Sequence, residues 1–336
     1  MTTLTPATAP ASERPADEAD EPAGAGASTT AAAPPRPAPF GAKVASRVFA
    51  LLAVGALGFV GYLMLLSPLE QSSTQDVLYS QLRGPIAEAV PPYAGREQSA
   101  DGTVMRSVPS IYADGEDTLI PAGAPIAVLE IPAIDLRQVV VEGTSSGDLE
   151  AGPGHRRDTV LPGQRGVSLI YGRATTFGGP FGGLPRLARG QDLTVVTFQG
   201  TFTYRVEGVR RAGDPLPDIQ PVTAGGSRLT LVTAEGDNPL QPNRTVFVDA
   251  LLRGDPQAAA DRPRLIPPEE QSLASDRPAL LPLVLWMQAL VVVAVAIAWA
   301  RVRWGRWETH LVGLPMMLAV LWFVYETGAR LLPNLT

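Results

Sequence analysis

The chain has 336 residues, room for one or two domains, and a formal net charge of −6, which argues against a nucleic-acid partner. It contains no cysteine, which excludes disulfides, thiolate metal sites and a cysteine nucleophile. Its two histidines, His155 and His310, are too few and too far apart for a histidine metal site, so no metal and no cofactor is expected. Apolar residues make up 45% of the chain but concentrate in three long runs, and those runs set its organisation.

Residues 1–43 are rich in Ala, Pro, Thr and acidic side chains. They carry too little apolar surface to bury a core, and a disordered cytoplasmic tail is expected. The first apolar run, 48–66, is long enough to cross a bilayer and places a transmembrane helix over 44–67. It follows a long tail and offers no small-residue cleavage pattern, so a retained anchor is expected rather than a removed leader. Residues 68–92 have helical spacing, with Val77, Leu78 and Leu82 on one side, and read as a helical stalk; 93–121, rich in Gly and Pro, reads as a linker.

Over 122–254 the pattern changes to short β-branched and aliphatic runs bounded by Gly, Pro and Asp. They lie at 126–134, 138–141, 167–171, 193–198, 202–209, 229–234 and 245–252. Gln199-Gly200 between two of them is a hairpin signal. So many strands with few helical patterns predict a closed barrel or a sandwich. Residues 255–277 form a second polar, Pro-rich linker, and two further spans follow at 278–300 and 311–330.

Between these last spans, residues 301–310 hold Arg301, Arg303 and Arg306, with Trp304 and Trp307 suited to an interface. Lys43 and Arg47 precede the first span. Both basic clusters predict a cytoplasmic side there, so the N-terminus lies inside and 67–278 outside. Glu326 and Arg330, four residues apart, are read as an interfacial ion pair. The spans hold few polar residues beyond Gln288 and Glu326, which argues against a translocation path.

Several segments resemble the sortase family in the family's order. Leu129-Glu-Ile-Pro-Ala-Ile134 is similar to its opening strand, followed by Val140-Val-Glu-Gly-Thr144, Ala151-Gly-Pro-Gly-His155 and Thr159-Val-Leu-Pro-Gly163. Thr175-Thr-Phe-Gly-Gly-Pro-Phe181 resembles the segment after the catalytic histidine, and Leu229-Thr-Leu-Val-Thr233 the strand that ends in the catalytic cysteine. The motifs most resemble the class E-like sortases of high-GC Gram-positive bacteria, as does Leu78-Tyr-Ser-Gln-Leu-Arg83 in the stalk. The resemblance implies a mostly β, sortase-like closed barrel with short helices and loops, here accompanied by three transmembrane helices and the stalk.

Sortases are transpeptidases of cell-wall sorting. A cysteine attacks the carbonyl of a sorting motif, commonly Leu-Pro-x-Thr-Gly, with a histidine and an arginine in support. Carried over by motif, the cysteine position holds Ala234, the histidine position Arg173 and the arginine position Arg244. A methyl group forms no thioester, and an arginine does not cycle a proton near neutral pH. Thr233 is adjacent to Ala234 but, by strand alternation, faces away from the cleft. His155 is read as a structural or surface residue in a Gly/Pro-rich loop.

The expectation is therefore a degenerate member with no catalytic residue, acting as a binding, scaffold or accessory protein of the cell envelope. Arg173, Arg244, Tyr171 and Thr175 are the groove candidates. Two guanidinium groups there would favour an anionic peptide or a wall-polymer phosphate, unless Glu235 or Asp237 neutralises one of them. Partners in view are the membrane, an active sortase, a wall-anchored protein or another membrane protein. The alternative is an active transpeptidase with an unusual mechanism.

Overall fold

The computed structural model describes residues 40–87, 96–98, 105–107, 120–259, 266–303 and 305–336. Residues 1–39 of the expected 1–43 tail, 88–92 of the stalk, most of the 93–121 linker, 260–265 of the second linker and Trp304 lie outside them; 40–43 already belong to a helix, not to the tail. The chain forms two compact units, Met1–Leu51 and Leu52–Thr336. Of the first, the described part is the opening of α1.

Helix α1 (Phe40–Gly61) passes through a π-helical turn, Tyr62–Leu66, into α2 (Ser67–Ala87). A short hairpin, β1 (Arg96–Gln98) and β2 (Met105–Ser107), precedes the main domain. That domain comprises β3 (Pro125–Ile131), β4 (Leu136–Glu142), α3 (Asp148–Ala151), β5 (Gly154–His155), β6 (Gly166–Tyr171), β7 (Asp192–Thr197), β8 (Gly200–Arg211), α4 (Gln220–Thr223), β9 (Ser227–Glu235) and β10 (Arg244–Leu252). Then come α5 (Leu280–Arg303) and α6 (Arg306–Ala329).

The eight strands close a barrel in the order β10-β8-β7-β3-β4-β5-β6-β9. The β4–β5 and β6–β9 pairs are parallel, the others antiparallel. Alternation along each strand fills the interior, where Leu129 and Ile131 of β3, Val140 of β4, Ile170 of β6, Val195 of β7, Tyr204 of β8, Leu229 and Leu231 of β9 and Val248 of β10 pack together. Thr197 pairs with Gly200 (φ +137°), so the expected hairpin is present with Phe198 and Gln199 as its turn. The run expected over 126–134 stops as a strand at Ile131. Pro132 brings no N–H to a ladder, and a 3-10 turn with Asp135 at φ 52° reverses the chain.

Helix α2 lies against the barrel. Its Leu78 and Leu82 pack on Val128, Val139 and Val141. Gln75 behaves as an added strand edge: its amide donates to the carbonyls of Val139 (3.1 Å) and Ala151 (2.8 Å) and accepts from the Val139 N–H (2.6 Å). The described end of the 255–277 linker is also fixed, with the Glu270 carbonyl accepting from Thr144 Oγ1 at 2.6 Å.

Among the described residues, three helices are long and apolar enough to cross a membrane, within 46–84, 277–303 and 307–329. Trp286 of α5 stacks on Phe323 of α6 at 4.4 Å, and Tyr325 of α6 donates to the Gly55 carbonyl of α1 at 2.9 Å. The expected basic loop of 301–310 is largely helical. Arg301 and Arg303 end α5, Gly305 turns at φ 114°, and α6 starts at Arg306. Glu326 and Arg330 form the expected pair at 2.8 Å.

Barrel and helices meet at a second apolar cluster. Phe177, from the loop after β6, is buried with Tyr62, Leu63 and Ala329. Its backbone is left-handed (φ 51°), a conformation that costs about 1–3 kcal/mol in a non-glycine residue. Two contacts hold it: its N–H donates to Ser67 Oγ at 3.0 Å, and the Arg173 guanidinium lies 4.8 Å over its ring.

Candidate functional site

The parallel pairing of β6 with β9 sets Tyr171 beside Val232, and the Gly172 N–H continues the ladder to the Val232 carbonyl at 2.9 Å. On the other side of β9, Ala234 pairs with Thr245 and Glu235 with Arg244 of β10. Thus 173, 234 and 244, far apart in sequence, come to one end of the sheet. Leu229 and Leu231 point into the barrel, whereas Val232 and Ala234 lie on the outer face with Leu149, Tyr171 and Leu335. Thr233 turns from Ala234, its hydroxyl bonded to the Gly172 carbonyl at 3.0 Å.

Arg173 is fully buried. Its Nε donates to the Leu149 carbonyl (3.2 Å), Nη1 to Thr176 Oγ1 (3.0 Å), and Nη2 to the Ser146 carbonyl (2.7 Å) and hydroxyl (2.9 Å). Burial pulls its guanidinium down to about 10, and the nearby Glu150 carboxylate opposes that shift. Arg244 is different: its side chain is 58% exposed, with Nε 3.6 Å from Glu235 Oε1. Glu235 is held mainly by Arg211, at 2.6 Å, which lowers its carboxyl below the usual range. The expected pair of guanidiniums over one anion groove is therefore corrected. Arg173 directs its donors into the α3 loop and Thr176, and Arg244 lies in an exposed ion-pair cluster.

Tyr171 is buried, its hydroxyl accepting from Ser272 Oγ at 2.8 Å and from Arg156 at 3.3 Å. Thr175 is half-buried in the loop that follows Arg173. His155 is structural: it is buried in β5 with Nδ1 2.9 Å from Glu142 Oε2 and Nε2 2.9 Å from the Val160 carbonyl.

One occupant of this face has no signal in the sequence. After α6 the chain turns through Arg330 and lays residues 332–336 along the loop 174–176. The Ala174 N–H donates to the Leu335 carbonyl at 3.0 Å, and Thr176 Oγ1 donates to the main-chain oxygen of Thr336 at 2.8 Å. The Asn334 amide donates to the carbonyls of Thr144 (2.7 Å) and Gln271 (2.9 Å). Leu335 is wholly buried against Leu149, Tyr171, Val232 and Ala234. Arg330 anchors the turn through Glu150 at 3.2 Å; burial pushes the Glu150 carboxyl up to about 7 despite Arg173 and Arg330.

Residues 129–251 match the sortase domain family. Sortase D of Bacillus subtilis (strain 168) is 34% identical over 84 residues, which are 25% of this chain and 41% of that relative's length. Among solved structures, sortase E from Streptomyces avermitilis is 30% identical, covering 40% of this chain and 91% of its own at a TM-score of 0.34. Sortase C from Clostridium perfringens is 18% identical, covering 54% of this chain and 90% of its own at the same TM-score of 0.34.

Proposed function

We propose that this chain, which belongs to the sortase family through its barrel at residues 129–251, is a non-catalytic, class E-like member that acts as a membrane-anchored binding or accessory protein of the cell envelope. One observation carries the reading: Ala234, where the motif resemblance places the nucleophile, lies on the outer face of β9 in a chain without a cysteine. An alanine methyl has no lone pair to attack a carbonyl. Arg173, at the histidine position, is buried with its donors bound to Leu149, Ser146 and Thr176, where it serves as a brace rather than a proton carrier.

In this reading the barrel lies outside the membrane and the basic ends of α5 and α6 inside. Helices α5 and α6 enlarge the lateral surface open to other membrane proteins, beyond what one anchor provides. Its partners are then an active sortase, a wall-anchored protein or another membrane protein. The test is an amide-transfer assay with the full chain in nanodiscs, a Leu-Pro-x-Thr-Gly peptide and an amine acceptor. The reading expects the peptide intact and unmodified; multiple turnovers per chain would overturn it.

A further inference from the structure

Resting on α5 and α6 as membrane spans, we propose that a cleft between them, beside their connecting turn, binds one anionic phospholipid, with an acyl chain in the cleft and the headgroup phosphate on Arg301. This site goes beyond the binding role proposed for the barrel. The two helices touch where Gly313 meets Ile297. A Cβ on Gly313 would come within 2.9 Å of the Ile297 side chain, so the glycine permits the close approach. A cleft opens on each flank of that contact. One, of about 180 Å³, has an apolar floor of Ile297, Leu314 and Met317 and carries Arg301 and His310. The other, of about 200 Å³, is walled by Ala296, Trp299, Val312 and Met316 and is lined by no charged side chain.

Charge and depth fit that lipid. Arg301 lies in the last turn of α5, one helical turn beyond Ile297, so a cation borders the apolar floor at the end of the span. A phospholipid has the same order, an anion joined to an apolar chain. Among the described residues Arg301 has no carboxylate partner. The connecting turn adds Arg303 and Arg306 against the single carboxylate of Glu308, so the surroundings are net positive. A guanidinium binds a phosphate through paired, charge-assisted bonds, and a zwitterionic headgroup gains less because it brings its own cation to a basic site. Thr309 does not compete for the headgroup, since its hydroxyl donates to the Gly305 carbonyl at 2.7 Å. A protein helix seated in this cleft would have to bury Arg301 or supply a carboxylate, whereas the lipid carries its anion at the depth where the arginine stands. The uncharged cleft on the opposite flank is the internal control.

The test places the full chain in nanodiscs made of equal parts dioleoyl phosphatidylglycerol and dioleoyl phosphatidylcholine, releases it into mild detergent and reads the lipids that stay bound by native mass spectrometry. One phosphatidylglycerol per chain is expected, retained over phosphatidylcholine by about fivefold or more, the effect of one arginine beside an anionic headgroup. Arg301→Gln is expected to remove most of that preference and Arg301→Lys to keep part of it. Leu314→Trp fills the charged cleft and lowers retention, whereas Val312→Trp, in the uncharged cleft, leaves it unchanged. Equal retention of the two lipids by the inserted chain, or a preference that survives Arg301→Gln, overturns the site. A dimer mass in place of the lipid overturns it as well, since a second copy of the chain then fills the cleft. Amide transfer by the barrel would change none of these outcomes, so the site and the non-catalytic reading fail separately.

Discussion

Replacing Arg173 with methionine separates a buried brace from a ligand-facing charge. The methionine keeps most of the apolar stem and removes the guanidinium, which donates four hydrogen bonds. The hydroxyls of Ser146 and Thr176 can find other partners, but the carbonyls of Ser146 and Leu149 stay buried without these donors. Each such loss costs about 1–3 kcal/mol. Removing a desolvated charge, whose burial already pulls it down to about 10, offsets part of this. A net loss of about 3 kcal/mol follows, or a fall of ~6–12 °C in apparent Tm for a chain of this size. Scanning fluorimetry in detergent reads it directly. Arg244→Ala is the internal control, because its exposed pair with Glu235 contributes about 0–1 kcal/mol. Equal melting temperatures for Arg173→Met and the unaltered chain would refute the buried-brace reasoning.

Gln75→Ala removes all three bonds that tie α2 to Val139 and Ala151; limited proteolysis is expected to cut α2 at least several-fold faster, with the barrel strands still protected. Burial pushes the Glu270 carboxyl up to about 7 against the pull of Arg157, so the folded form holds a proton that the unfolded form releases near its ordinary value of 4.5. Its contribution is fully present below pH 4.5 and is lost as pH rises through 7, by an amount on the order of 1–3 kcal/mol; Glu270→Gln is expected to flatten the fall in Tm between pH 5 and 8. Because the chain has no native cysteine, single substitutions report sidedness cleanly. In intact cells Leu216→Cys is expected to react with an impermeant maleimide, and Glu308→Cys only after lysis.

The strands were legible where β-branched and aliphatic runs alternate, because alternation is what a barrel wall requires. The pair Gly154–His155 was not, since two residues carry no period, and its pairing with β4 and β6 exists only in three dimensions. Alternation also placed Thr233 away from Ala234. The direction of Arg173 was hidden: nothing in Ile170-Tyr-Gly-Arg173 shows that the Ser146 and Leu149 carbonyls converge on it from the α3 loop. Residues 332–336 give no signal of their place, because five residues after a span show neither period nor charge. Of these residues Leu335 packs beside Ala234, whereas Leu332 lies against the cluster of Tyr62, Leu63, Phe177 and Ala329.

The most direct test of a barrel without a nucleophile is mass spectrometry of the full chain after incubation with an activated acyl ester of a leucine peptide. An attacking Ser, Thr or other group at the cleft would retain the acyl group and add its mass. The account predicts no acyl group on residues 227–235 once background acylation of Lys43 and the α-amine is set aside. One equivalent of acyl group mapped to residues 227–235 would contradict it.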